Sequence, residues 1–236
     1  GTYNPYYPPP VDTHGHGTSV AGVIAALDND YGIVGVADGA GLAIGPYLEQ
    51  TQVYISDTID GIQKCKAKGA KVVNMSYGSW FYNSWLSQTL NDFFYNNNML
   101  FVSVAGNHGN SIDNDKLLYP ASYSAVLSAA AVDSNGVRSD WSAKNNYVSI
   151  AAPGVDLWTT WNNGGYALKS GTSYASAHVA GIAARVWSVM PYLTSLQLLS
   201  FLVDAAQYEP PILHRVWTCQ PWVLHHHAPT IRKVLG

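Results

Sequence analysis

Ser170-Gly171-Thr172-Ser173-Tyr174-Ala175-Ser176-Ala177-His178-Val179-Ala180-Gly181 is the stretch that decides the fold. A glycine turn leads into a long run of small and apolar residues, which reads as a helix over 173–190 ended by Pro191. Ser173 stands at the first turn of that helix. The first amide groups of a helix have no partner within it, so the backbone N–H of Ser173 is free to face an anion. An exposed hydroxyl beside a ready anion site is a nucleophile's address, provided a base takes its proton.

Two further stretches supply what that serine lacks. His14-Gly15-His16-Gly17-Thr18-Ser19-Val20-Ala21-Gly22 places an imidazole at the start of a second small-residue helix, read over 17–27. Val102-Ser103-Val104-Ala105-Gly106-Asn107 is an apolar strand whose tip projects an amide. Such an amide can donate to the oxygen that gains charge in acyl transfer. Each signal alone is weak; the three together, each at a strand–helix junction, are strong.

Outward from these, the chain alternates. Helical spacing appears over 56–68, 84–95 and 194–206, and apolar strand-like runs over 71–76, 100–105, 126–132 and 148–152. Residues 32–37 and 42–44 are shorter apolar runs. Continuous apolar strands between amphipathic helices predict an α/β fold, a mostly parallel sheet sandwiched by helices, with its chemistry at the carboxyl ends of the strands. Residues 1–13 are rich in Pro and Tyr and read as an extended segment. Residues 14–206 form the domain, and 207–236 form a His- and Trp-containing tail without a clear period.

Composition narrows the class. Of 236 residues, 47% are hydrophobic and only 11% charged, with a formal net charge of −3. Global disorder is excluded. Nothing draws this chain to nucleic acid or an acidic membrane, and no apolar run approaches the roughly 18 residues of a membrane helix. The two cysteines, Cys65 and Cys219, cannot build a disulfide framework; Cys65 reads as a buried free thiol.

The quoted residues resemble the subtilisin-like serine peptidases. The family's His-Gly-Thr-x-Val-Ala-Gly is matched by His16 to Gly22, its Ala-Gly-Asn by Ala105 to Asn107, and its Gly-Thr-Ser-x-Ala continuing to His-Val-Ala-Gly by Gly171 to Gly181. The resemblance implies a subtilisin-like three-layer α/β/α fold and serine endopeptidase activity with no catalytic cofactor. It makes His16 the base, Ser173 the nucleophile and Asn107 the oxyanion donor. It sets Ser76, Tyr77 and Gly78 along the substrate strand, with Ala105 and Gly106 walling the primary specificity pocket. An apolar or aromatic residue before the cut is expected. It suggests a structural calcium held by the carbonyls of Leu27, Tyr31 and Ile33 and the side chain of Asn29. It also implies a polypeptide substrate, a propeptide as possible partner, a monomer and secretion.

The chain departs from the family in one serious respect. The family's catalytic aspartate lies some thirty or more residues before the histidine, in an Asp-Ser/Thr-Gly motif. Only 15 residues precede His16, and Asp12 is the sole acid among them. The expectation is therefore a partial domain lacking its N-terminal strand, with an open sheet edge. The alternative is an impaired relative that binds peptides without efficient cleavage. A zinc site from Asp12, His14 and His16 is a third reading. Alanine stands at 177 where the family usually has proline, and the tail lacks the family's Gly-x-Gly turn, as a divergent end or a foreign reading frame would. His108 is expected on a surface loop and His178 as a packed structural histidine.

Overall fold

The structure is a computed structural model that describes residues 12–45, 54–208 and 215–216. The Pro/Tyr segment up to residue 11 and most of the tail lie outside the described residues. Four strands form the parallel core: β1 (Val72–Met75), β2 (Leu100–Val104), β3 (Val126–Val132) and β4 (Ile150–Pro153), adjacent in that order. Register runs Val72 opposite Leu100, Phe101 opposite Val126 and Ala129 opposite Ile150. Every residue of β2 and β3 is buried. Their unbroken apolar runs are what a strand covered on both faces requires.

Among the described residues five helices accompany the sheet: α1 (His16–Ala25), α2 (Ile55–Ala67), α3 (Ser84–Asn96), α4 (Thr172–Val189) and α5 (Ser195–Ala205). Helix α4 packs on β1–β4 and touches α1 and α5, while α3 packs on β2 and touches α2 and α5. Phe93, Phe94, Leu90, Leu198 and Leu202 fill the core between them. Asn83 caps α3 through Leu86 N–H, and Thr194 with Gln197 forms a reciprocal capping box on α5.

Two features were not anticipated. An antiparallel hairpin, β5 (Leu157–Thr160) with β6 (Tyr166–Lys169), stands apart from the main sheet. The short strands β7 (Gln207–Tyr208) and β8 (Arg215–Val216) extend the sheet beyond β4, β8 parallel to it and β7 antiparallel to β8. They fall in the stretch read as a tail. The runs at 32–37 and 42–44 form no strand. At the opposite side β1 is the sheet's edge among the described residues. Beside it lies a cavity of about 1350 Å³, bordered by Ala40–Gly45, α2, β1 and α4, with His16 in its lining.

Candidate active site

Each motif residue lies at the end of an element that its sequence dictates. His16 opens α1. Gly15, before it, has φ 86, and a Cβ there would stand 2.7 Å from Trp161, so glycine is required on both counts. Asp12 caps this helix. Its carboxylate accepts from Gly15 N–H at 2.7 Å, Thr18 N–H at 2.7 Å, Thr18 Oγ at 2.8 Å and His14 N–H at 3.1 Å. The negative charge also suits a helix N-terminus. Burial alone would raise the Asp12 carboxyl, but these hydrogen bonds outweigh it and hold its pKa below the ordinary value.

Asp12 therefore holds the start of the histidine's helix, and no hydrogen bond joins it to the imidazole. The zinc reading gains nothing: among the described residues no group of three His, Cys, Asp or Glu could hold a metal ion.

The hairpin clamps α1 from the side. Thr159 Oγ donates to Ser19 C=O at 2.6 Å and Thr160 Oγ to Thr18 C=O at 2.8 Å. Gly22 makes that approach possible, because a Cβ would collide with both threonine hydroxyls. Asn162 donates to the Asp12 carbonyl at 2.9 Å, and Lys169 Nζ sits 3.5 Å above the Trp161 ring. Val20 and Val23 of α1 pack against Tyr174 and Ala177 of α4. The His16 ring lies 6.2 Å, centroid to centroid, from that of Tyr174, the residue after Ser173. The same segment that grips the histidine's helix leads directly into the serine's.

Burial is the main cause of a lowered His16 pKa. The charges of His14 and Lys169 push the same way, and Asp12 partly opposes them. The imidazole is thus neutral at pH 7 and able to accept a proton. Ser173, partly buried at the start of α4, has its Oγ 3.5 Å from the Ser76 carbonyl. Among the described residues no hydrogen bond joins Ser173 to His16, and no carboxylate bonds the imidazole.

Asn107 shows the firmest geometry. Its Oδ1 accepts from Thr172 N–H at 3.0 Å and Thr172 Oγ at 2.8 Å. Two donors on one atom settle which end of the amide is oxygen. The exposed NH₂ is left at the start of α4, one residue from Ser173. Thr172 Oγ also receives Gly106 N–H at 3.3 Å, tying the strand tip to the helix start.

Ser76 lies on the segment expected to hold substrate through its main chain. Its hydroxyl faces inward, donating to the Ser173 carbonyl at 3.0 Å, lying 3.0 Å from Ser176 Oγ and accepting from Asn74 at 2.8 Å. The side chain anchors α4, leaving only its backbone for a substrate strand. Tyr77 is half-buried and Gly78 exposed; Ala105 and Gly106 are buried. Asn74 Oδ1, on the edge strand, is buried with no hydrogen-bond partner among the described residues.

His178 accords with a structural histidine: Nδ1 lies 3.1 Å from the Tyr174 carbonyl, and burial lowers its pKa. Cys65 is free and half-buried rather than fully buried, and it borders the cavity. His108 is not a plain surface residue. Its Nε2 is 3.1 Å from the Lys116 carbonyl, and Trp80 stacks edge-on at 4.5 Å.

In the loop expected to hold calcium, Asn29 Oδ1 accepts from Tyr31 N–H at 3.3 Å. The donors named there are all hard oxygens, which fits calcium in kind. They number four, whereas calcium takes about six to eight. The hairpin and its threonines were missed, although Asn162-Asn163-Gly164-Gly165 between two β-prone runs is a hairpin signal.

Known proteins resemble this chain in sequence and in fold. The sequence model of the subtilase family matches residues 2–217. Subtilisin DY of Bacillus licheniformis is 38% identical over 196 residues, covering 83% of this chain and 71% of the relative. A thermostable alkaline protease of Halalkalibacterium halodurans is 39% identical over 84% of this chain and 54% of its own length. Subtilisin E of Bacillus subtilis is 35% identical over 87% of this chain and 53% of its own. Among solved structures, sphericase superposes with a TM-score of 0.68 at 31% identity, covering 83% of this chain and 70% of that one.

Proposed function

The chain belongs to the subtilase family, and from that premise we propose that it carries the nucleophile, base and oxyanion hole of a serine endopeptidase. The observation that carries this reading is the Asn107–Thr172 clamp, which turns an amide NH₂ toward the helix start at Ser173. Ser173 Oγ attacks the scissile carbonyl carbon while its proton passes to the neutral His16 imidazole. The carbonyl oxygen, now anionic, accepts from Asn107 Nδ2 and the Ser173 N–H. His16 then protonates the leaving amine, the C–N bond breaks, and water hydrolyses the acyl-enzyme by the same route. The substrate is an extended polypeptide held by the backbone of Ser76, Tyr77 and Gly78, with Ala105 and Gly106 walling the first pocket.

The family's aspartate belongs, in this reading, on a strand that fills the cavity beside β1. Three observations support it: the open parallel edge, the void of about 1350 Å³ reaching His16, and the orphaned Asn74 Oδ1 on that edge. The chain spans about half the length of several curated relatives. Leu27, Asn29, Tyr31 and Ile33 would contribute to a structural calcium site, completed by ligands outside that loop. No described helix is long and apolar enough to cross a membrane; secretion, a propeptide partner and a monomeric state follow the family.

One observation favours a second reading, an impaired subtilase that binds peptides without efficient cleavage: no carboxylate bonds His16 among the described residues. A fluorophosphonate probe on the folded chain decides between them. Labelling that disappears in Ser173→Ala supports the enzyme. A folded chain that never labels supports the impaired relative.

A further inference from the structure

An amide on β1 leads, through one hydroxyl, to the peptide of Ser173. Alternation along an extended chain puts Asn74 and Ser76 on the same face, and the Ser76 side chain reaches α4 from there. Asn74 Nδ2 donates to Ser76 Oγ at 2.8 Å, and Ser76 Oγ donates to the Ser173 carbonyl at 3.0 Å. A carbonyl only accepts, so the Ser76 hydrogen goes to Ser173 and the end of the amide that meets Ser76 is its NH₂. The buried Ser176 hydroxyl donates to the same carbonyl at 3.0 Å.

The other end of the amide is costly. Asn74 Oδ1 is buried without a hydrogen-bond partner among the described residues. A buried acceptor left unmet is destabilising, and a leucine of similar size would remove it. What the amide supplies against that cost is the orientation of the Ser76 hydroxyl.

We propose that Asn74 is a positioning residue for the nucleophile. It acts through Ser76: the amide holds the Ser76 hydroxyl on the Ser173 carbonyl, and that bond fixes the first turn of α4 and with it the place of Ser173 Oγ. This rests on the reading of Ser173 as nucleophile. Without the amide the Ser76 hydroxyl is free to rotate away, and the Ser173 peptide keeps only its side-chain bond from Ser176. A misplacement of about 1 Å costs about 100-fold in rate, so with one of the two bonds retained a loss of about tenfold is expected.

The test uses the full 236-residue chain and three measurements: the rate of fluorophosphonate labelling at Ser173, denaturant unfolding, and hydrogen exchange of the amides of 174–177. Asn74→Leu should label about tenfold more slowly and exchange faster at 174–177, yet unfold no more easily than the unsubstituted chain. Ser76→Ala should be slowed at least as much. Asn74→Leu combined with Ser76→Ala should be no slower than Ser76→Ala alone, because the amide has no other route to the serine. A combined variant slowed by the product of the two single effects overturns the proposal. So does slowing in Asn74→Leu that is matched by a loss of stability, since that is what a merely structural residue gives. Labelling and exchange both unchanged in Asn74→Leu leave the nucleophile standing and remove Asn74. If the folded, unsubstituted chain does not label, faster exchange in Asn74→Leu, with no further rise in the combined variant, keeps the hold of Asn74 on the start of α4 and removes Ser173 as nucleophile.

Discussion

Asn107 and His16 flank the same serine and are held in opposite ways. The asparagine is fixed at its functional atoms: both donors of Thr172 occupy its oxygen, so its NH₂ has one orientation. The histidine is fixed only through its backbone. Asp12 caps its helix and the hairpin threonines grip the next turn, but among the described residues no acceptor orients the ring, and a cavity opens beside it. One half of the site is preorganised; the other is positioned but unfinished. Preorganised dipoles act without reorganising as charge develops, whereas a free imidazole must first find its tautomer and orientation.

The largest effect should come from finishing the weak half. A peptide forming an apolar strand and ending in Asp-Ser-Gly, supplied to the folded chain, should pair with β1 and place its carboxylate toward His16. Loss of that aspartate costs about 3 × 10⁴ in turnover in the family's own enzyme, so the labelling rate of Ser173 should rise by up to about that factor. The same peptide with Asn in place of Asp should bind without the gain. Equal rates with both peptides would show that the cavity does not lead a carboxylate to the base.

Breaking the strong half comes next. Asn107→Ala should slow acylation by about 10²–10³, the range known for the family's own oxyanion asparagine, measured as the labelling rate at saturating probe. Thr172→Val retains the N–H bond to Asn107 but loses the hydroxyl, and a smaller loss is expected. Slowing in Asn107→Ala of less than about threefold would mean that the amide does not face the oxyanion.

The same contrast governs what could be read from sequence. The strands β2 and β3 and the helices α3, α4 and α5 were legible because period and punctuation are local: apolar runs for doubly covered strands, Leu86, Leu90 and Phe94 on one helix face, Pro191 after α4. Ser173, Asn107 and His16 were legible because each sits at such a boundary. Their partners were not. Thr172 lies 65 residues from Asn107, and Thr159 lies 140 from Ser19. The Ser76 hydroxyl turns inward because Ser173 and Ser176 approach from about a hundred residues away. Leu42–Ile44 forms no strand because an extended run needs a partner ladder, and none of the described strands pairs with it.

Asp12 offers the smallest but sharpest test, because it contributes a cap and a charge that two substitutions separate. Asp12→Ala removes the cap, and the expected loss of stability is about 1 kcal/mol, seen in denaturant unfolding. Asp12→Asn keeps one oxygen acceptor, for Gly15 and His14 or for Thr18 but not for both, so only part of that stability should remain. Both variants remove the one nearby charge that raises the His16 pKa, leaving burial, His14 and Lys169 to lower it further. A base works in its neutral form, so the rate should fall as pH drops through the folded pKa of His16, which lies below the ordinary 6.5. In both variants that acid limb should move to still lower pH. The linkage to stability has the matching sign: a histidine with a depressed folded pKa favours folding above its unfolded value and loses that contribution as pH falls through the folded one. An acid limb that shifts in Asp12→Ala but not in Asp12→Asn would assign the effect to displacement of the helix start. A limb that moves alike in both assigns it to charge and leaves the helix in place as the base's only support.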